Sequence, residues 1–288
     1  MSELRKKFRD LFNKPGMIVV PGASSPLEAR LAEQAGFAAA YMSGYAAACV
    51  RWGVPDIGLV GYAELEETVS AIRTVSNIPL VVDCDTGYGD IANVRRTVEG
   101  MERLGAVAVQ LEDQVWPKKC GHMSGKFVEP RDVAVRKIKA AAACRQDKNL
   151  VIIARTDARG PHGMEEAEWR AKAFMDAGAD MVFFDGPQSL AELEQISKLK
   201  MGPQMANMSE SGLTPILSAK ELEQMGFKLT IWPSTSARII VKQVSDFYAD
   251  LKRTGDSRSW LDRQASLEET NIKLGINDVK SFEDKIIG

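Results

Sequence analysis

Asp83-Cys-Asp85 closes the apolar run that begins Pro79-Leu-Val-Val. Residues two apart on a strand project to the same side, so both carboxylates can face one mouth. Glu112, near the end of the next apolar run, can join them. Carboxylates gathered without histidine or thiolate ligands suit a hard, oxygen-seeking cation, magnesium first and manganese second. The competing arrangement is a set of structural ion pairs to Arg155 or Lys118.

A second chemical feature is the segment Lys118-Lys-Cys-Gly-His-Met-Ser-Gly-Lys126. Its polar, glycine-bearing composition suits a lid over a binding site. Cys120 lies between Lys119 and His122, and nearby positive charge lowers a thiol pKa from its usual value of about 8.5. Such a thiol can give or take a proton near neutral pH. Cys49, Cys84 and Cys144 read as small buried hydrophobes, and His162 as an exposed loop residue. Arg155 ends the run Val-Ile-Ile-Ala-Arg, where a guanidinium needs an anionic partner. That partner is a substrate carboxylate held in bidentate fashion or a neighbouring acid. Gly87-Tyr-Gly89 lacks the spacing of a dinucleotide or phosphate loop and reads as a turn leading the backbone away from the acids.

The elements that must position these groups are legible as alternating patterns. Apolar, β-rich runs fall at Met17–Gly22, Ala38–Gly44, Pro79–Asp85, Ala106–Asp113, Leu150–Asp157, Met181–Asp185, Gln204–Asn207 and Leu229–Pro233. Continuous apolar runs are expected of parallel strands buried on both faces. Helical spacing fills the gaps at Ser25–Ala35, Tyr62–Val75, Ile91–Leu104, Pro130–Cys144, Met164–Ala177, Ser189–Lys198, Ser218–Met225 and Ser236–Arg253. Glu33-Gln-Ala-Gly36, Glu102-Arg-Leu-Gly105 and Met175-Asp-Ala-Gly178 repeat one joint, a glycine cap returning the chain to a strand. Eight such β/α units in sequence predict an α/β fold, a (β/α)8 TIM barrel, with an open doubly wound sheet as its rival. Polar residues collect at the predicted strand ends: Ser43, Gly44, Asp83, Asp85, Glu112, Asp113, Arg155, Asp157, Asp185 and Asn207. That is the end of a barrel where chemistry takes place.

The 288 residues read as one domain: an N-terminal helix in 1–16 packed over one end, a barrel in 17–253 and a helical tail in 254–288. The tail shows helical character over Trp260–Thr270, and its apolar residues call for a partner subunit. Lys plus Arg count 37 against 39 Asp plus Glu, a net charge of -2, which argues against nucleic-acid binding. No apolar run is long enough to span a bilayer, and no secretory signal is evident. Scattered cysteines without a CxxC pair fit a reducing, cytoplasmic setting.

These motifs together resemble the isocitrate lyase/phosphoenolpyruvate mutase superfamily. Lys118-Lys-Cys-Gly-His122 is similar to its signature. Tyr41-Met-Ser-Gly44, Gly53-Val-Pro-Asp-Ile-Gly58, Asp83-Cys-Asp-Thr-Gly-Tyr-Gly89, Leu111-Glu-Asp-Gln114, Ala154-Arg-Thr-Asp-Ala158 and Ala206-Asn-Met208 continue it in order along nearly the whole chain. The length resembles the short lyase branch, the 2-methylisocitrate and 2,3-dimethylmalate lyases. The resemblance implies that Ser43, Gly44 and Tyr45 line a pocket for a 2-oxo acid. It implies that Asp56, Asp83, Asp85 and Glu112 hold magnesium, largely through water, and that Arg155 binds a carboxylate. Cys120 would be the catalytic acid, Gly121 and His122 would grip the leaving fragment, and Asn207, Ser209 and Thr214 would finish the far wall. It also implies a homotetramer built from dimers that exchange their eighth helix, which would give the tail its partner.

The implied activity is carbon–carbon cleavage of a 2-hydroxy di- or tricarboxylate. A base, Tyr41 or a hydroxide near Glu112, would take the hydroxyl proton, and Cys120 would protonate the departing carboxylate fragment. The alternatives are oxaloacetate hydrolysis or decarboxylation, or a phosphonopyruvate-type mutase, on the same scaffold. A thiol proton donor favours the lyase. A catalytically silent barrel would have lost its acids, and here they are present. Two departures bear on substrate: Asp185-Gly186-Pro187 stands where lyases of this family usually have Glu-Ala, and Ser209-Glu-Ser-Gly212 where methylisocitrate lyases tend to have Thr-Glu-Phe-Gly.

Overall fold

The computed structural model describes residues 1–121, 123, 125–210 and 212–288. They fall into two compact units, Met1–Thr235 and Ser236–Gly288.

In the first unit, eight strands alternate with helices: β1 (Ile18–Pro21), β2 (Ala40–Met42), β3 (Leu80–Asp83), β4 (Ala108–Glu112), β5 (Val151–Thr156), β6 (Met181–Phe184), β7 (Gln204–Asn207) and β8 (Leu229–Trp232). All pair in parallel, in the order β1-β8-β7-β6-β5-β4-β3-β2. A parallel bridge between Gly22 and Tyr41, with Ala23 N donating to the Tyr41 carbonyl at 2.9 Å, joins the two ends. The result is a (β/α)8 TIM barrel. Gly22 is required at that seam, because a Cβ there would stand 2.4 Å from the Pro233 carbonyl oxygen.

The helices of this unit are α1 (Ser2–Phe12), α2 (Pro26–Gln34), α3 (Gly44–Ala47), α4 (Tyr62–Arg73), α5 (Ile91–Arg103), α6 (Arg131–Cys144), α7 (Arg159–His162), α8 (Met164–Asp176), α9 (Leu190–Lys198) and α10 (Ala219–Met225). Ser25, Ser189 and Ser218 cap α2, α9 and α10 through their side chains, accepting the otherwise unpaired N–H groups of the first turn. The predicted glycine joints are present: Gly36, Gly105 and Gly178 all have positive φ just after a helix. The short α3, the π-turn Ala48–Trp52 that follows it, and α7 lay outside the predicted helices. They are too brief to impose a helical apolar repeat on the sequence.

The barrel interior is filled by Ile18, Val20, Tyr41, Val81, Ala108, Val151, Ile153, Met181, Phe183, Met205, Leu229 and Ile231. Phe8 of α1, 1% exposed, closes the bottom of this core. Arg5 of α1 donates to the carbonyls of Ala106 (2.9 Å) and Glu102 and pairs with Asp147. The predicted packing of the N-terminal helix over one end of the fold is therefore what the structure shows.

Residues 236–288 contain most of α11 (Thr235–Thr254), a 3-10 turn Arg258–Arg263, α12 (Leu267–Lys273) and α13 (Ile276–Ile287). Trp260 packs edge-on against Phe247 and donates its indole N–H to Asp250 at 2.9 Å. The single helical stretch expected over Trp260–Thr270 is broken at Gln264–Ser266. Ser266 restarts the helix through a capping box with Glu269, so the local cap overrides the continuous apolar pattern.

Candidate active site

Strand parity builds the site. Inward-facing positions run Val151, Ile153, Arg155 on β5 and Met181, Phe183, Asp185 at β6. On the neighbouring strands they run Ala108, Gln110, Glu112 on β4 and Val81, Asp83, Asp85 at β3. Each series is apolar low in the barrel and becomes polar at its C-terminal end, because a period of two keeps the same face throughout. The β4–β5 register sets Glu112 beside Arg155.

At β3, Asp83 accepts from Gly44 N at 3.2 Å, from Gln110 Nε2 at 3.1 Å and from Asp85 N at 3.3 Å. Asp85 takes a left-handed backbone, φ 47, and Tyr88 another, φ 60. Aspartate tolerates that region better than most residues. The turn folds Tyr88 back so that its hydroxyl donates to Asp85 Oδ2 at 3.4 Å. Gly87 permits the turn: φ is +82, and a Cβ would meet Val94 Cγ2 at 2.6 Å. The backbone does turn away from the acids, as the sequence suggested.

Lys118 Nζ sits within the acid set, 2.6 Å from Asp56 Oδ1 and 2.7 Å from Asp85 Oδ1, with its side chain 4% exposed. Burial pushes the Asp85 carboxyl up to about 7, against the pull of Lys118 and with the help of Asp83 and Asp56. Glu112 is likewise held well above the carboxylate range, by burial first, although Arg155 opposes it. Burial pulls the Lys118 ammonium down, but Asp85 and Asp56 outweigh that and leave it well above the usual lysine value.

Arg155 is surrounded by acids. Nε lies 2.8 Å from Asp157 Oδ2 and 3.3 Å from Glu112 Oε2, and Nη2 lies 2.9 Å from Asp157 Oδ1 and 3.2 Å from Asp185 Oδ2. The competing arrangement of ion pairs to Lys118 and Arg155 is thus present, yet it leaves one oxygen over. Glu112 Oε1 is buried with no hydrogen-bond partner among the described residues, whereas Asp85 Oδ1 is paired with the Lys118 ammonium at 2.7 Å.

That orphaned oxygen and an all-oxygen donor set fit a hard divalent cation. Among the described residues, no three histidine, cysteine or acid side chains are gathered for direct ligation. The fit is to an ion that keeps much of its water, as magnesium does.

The Cys120 segment reaches this mouth. Cys120 N donates to the Asp56 carbonyl at 3.2 Å, and Gln114 fixes Lys119 through two bonds, 2.9 and 3.1 Å. Gly121 packs so closely that a Cβ would lie 1.8 Å from Asp185 Oδ2 and 2.4 Å from Arg155 Nη2. Ser43 caps α3 by accepting from Ala46 N at 3.4 Å, which aims Gly44 N at Asp83, while the next residue, Tyr45, is half-buried. Asn207 Nδ2 donates to Asp185 Oδ1 at 3.5 Å; Ser209 faces Ser234 across 3.4 Å; Thr214 is buried with Oγ1 unpartnered among the described residues. His122 lies outside the described residues.

Tyr41 occupies a different place from the one expected of a base. It is 2% exposed, and its hydroxyl donates to Gln110 Oε1 at 2.9 Å. Burial, with Asp83 nearby, raises its pKa well above that of an ordinary tyrosine. This suits a residue that orients Gln110, and through it Asp83, and disfavours proton abstraction by the phenol. Gln110 itself was missed, although an amide inside the apolar run Ala-Val-Gln-Leu was a visible signal. Lys118 was read only as an ion-pair partner, and Lys126 had no assigned part.

Residues 8–252 match the sequence profile of the phosphoenolpyruvate phosphomutase family. The chain is 38% identical over 277 residues to the 2,3-dimethylmalate lyase of Eubacterium barkeri, covering 96% of each. It is 39% identical over 279 residues to the 2-methylisocitrate lyase of Aeropyrum pernix, covering 96% of this chain and 89% of that one. A solved structure of oxaloacetate acetylhydrolase with the inhibitor 3,3-difluorooxalacetate superposes with a TM-score of 0.93 at 31% identity, covering 100% of this chain and 98% of that one.

Proposed function

This chain belongs to the phosphoenolpyruvate mutase/isocitrate lyase superfamily, and from that premise we propose that it cleaves a 2-hydroxy di- or tricarboxylate to a 2-oxo acid such as pyruvate plus a carboxylate. It is a carbon–carbon lyase acting on hydroxy carboxylates. The finer substrate reading is the 2-methylisocitrate or 2-alkylmalate type. The observation that carries it is the convergence of the Cys120–Gly121 segment on Arg155 and the acid set at one barrel mouth.

Asp83, Asp85, Glu112 and Asp56 would hold magnesium, with manganese as a substitute. When bound, the ion would supply Lewis-acid polarisation of the substrate's hydroxyl and carboxylate oxygens. The side chains do the rest. Gly44 N and the Ser43–Tyr45 turn line the space beside Asp83, where the 2-oxo acid would form. Arg155 orients a carboxylate and offsets the charge that grows as the bond breaks. Cys120 delivers its thiol proton to the carbon of the departing fragment, while the segment that carries it excludes water. With Tyr41 disfavoured as the base, removal of the hydroxyl proton falls to a hydroxide on the Glu112 side of the cluster.

The structural likeness to oxaloacetate acetylhydrolase supports one second reading, hydrolysis of oxaloacetate. Pyruvate release from 2-methylisocitrate and 2,3-dimethylmalate, against oxalate and acetate release from oxaloacetate, decides between them. Each assay is run with EDTA and with added magnesium. A protein that cleaves none of the three would overturn the reading.

We extend the reading to a homotetramer of helix-exchanged dimers in the cytoplasm. Its support is the second unit, where Ile239, Val241, Tyr248, Leu267, Phe282 and Ile287 are exposed. Monomeric proteins rarely leave so much apolar surface uncovered. No described helix is long and apolar enough to cross a membrane. Light scattering on the purified protein tests the assembly.

A further inference from the structure

Arg155 has more anions around it than it can serve. Glu112, Asp157 and Asp185 all lie within 3.3 Å of its guanidinium. Three acids about one cation would repel, not attract, a substrate carrying two or three carboxylates. The second cation comes from the far end of the Cys120 segment. Lys126 Nζ stands 2.7 Å from Asp157 Oδ1 and 3.5 Å from Asp185 Oδ2, and it also donates to the Gly121 carbonyl. Its side chain is 6% exposed, whereas the adjoining Phe127 is 74% exposed. Burying an ammonium is unfavourable unless it is paired. The lysine is therefore drawn inward by those acids and not by packing.

Resting on the lyase reading above, we propose that Lys126 is a positioning residue with two linked effects. It ties the Cys120–Gly121 segment to the ends of β5 and β6 through the Gly121 carbonyl. By neutralising Asp157 and Asp185, it leaves the Arg155 guanidinium available to an incoming carboxylate. The proton donor and the carboxylate clamp become competent together, when the segment is docked. Gly121 is what lets that docking happen, since any side chain there would strike Asp185.

The test compares full-length wild type with Lys126→Met and Lys126→Arg. Tryptic cleavage of the Lys119–Cys120 bond, a site kept in wild type and every variant and read by mass spectrometry, reports docking of the segment, because proteolysis follows the open population. The Met variant should be cut about tenfold faster or more, with KM raised about tenfold and kcat lowered about 100-fold, the scale of a slightly misplaced reacting group. The Arg variant should return all three most of the way to wild type. A merely structural lysine would change melting temperature and leave the ratio of KM to kcat effects flat. Wild-type cleavage with wild-type KM in the Met variant overturns the proposal; faster cleavage with unchanged KM overturns its Arg155 half. If the Met variant does not fold, Lys126→Gln supplies the same comparison. If wild type itself cleaves no hydroxy acid, the lyase reading fails, and the proteolysis comparison still decides whether Lys126 docks the segment.

Discussion

Lys118 Nζ stands 2.7 Å from Asp85 Oδ1, so the acid set includes a cation of its own. Even so, burial lifts the Asp85 carboxyl from its ordinary 3.8 to about 7. A folded-state pKa above the unfolded one means that the native protein binds the proton more tightly, so stability falls as pH rises through that window. Glu112 acts in the same direction. Relative to Asp85→Asn, wild type in EDTA should therefore lose melting temperature as pH rises from about 4 to about 7. Magnesium, which favours the ionised acids, should restore it at the upper end and do little at the lower. Thermal melts with EDTA and with magnesium check both; a variant that keeps the magnesium response would remove Asp85 from the metal set.

Acid below that window works oppositely. Asp157 is depressed below the carboxylate range despite its burial, by Arg155 first and then Lys126. Glu166 is lowered to about 2, chiefly by its hydrogen bond from Arg131. Depressed carboxyls contribute stability above their unfolded pKa and lose it as pH falls through the folded value. Asp157→Asn should flatten the acid limb of the melting curve, measured below about pH 4.

Cys120→Ser should reduce cleavage by about 10²–10⁴, the usual share of a positioned proton donor. Melting temperature and the magnesium response should stay at wild-type values, because Cys120 lies on the loop and outside the buried core. Near-normal turnover would take Cys120 out of the mechanism.

Arg155→Lys and Arg155→Met separate charge from geometry. The lysine keeps a cation but cannot hold Asp157 through two parallel bonds, so KM should rise while the fold survives. The methionine leaves buried acids uncompensated and should cost about 3–5 kcal/mol of stability, read from urea unfolding.

Phe8→Ala tests the floor of the barrel. Phe8 is 1% exposed against the interior residues, and removing such a ring costs about 3–5 kcal/mol. Turnover per folded molecule should not change, since the reacting groups lie at the opposite strand ends.

The sequence alone determined the eight β/α repeats, the glycine joints, and the placing of Asp83, Asp85, Glu112 and Arg155 at strand ends. Those features are local: apolar periodicity and caps act over a few residues, and each leaves its mark directly in the chain. It also supplied motifs dense enough to identify the superfamily. What it could not decide was which cation meets which anion. Lys118 settling between Asp56 and Asp85, Lys126 meeting Asp157 and Asp185, and Tyr41 turning its proton to Gln110 are contacts between residues up to 69 positions apart. Such pairings depend on strand register, barrel closure and burial at the mouth. Charges that would be interchangeable on an exposed surface become specific only where the tertiary fold removes the water between them.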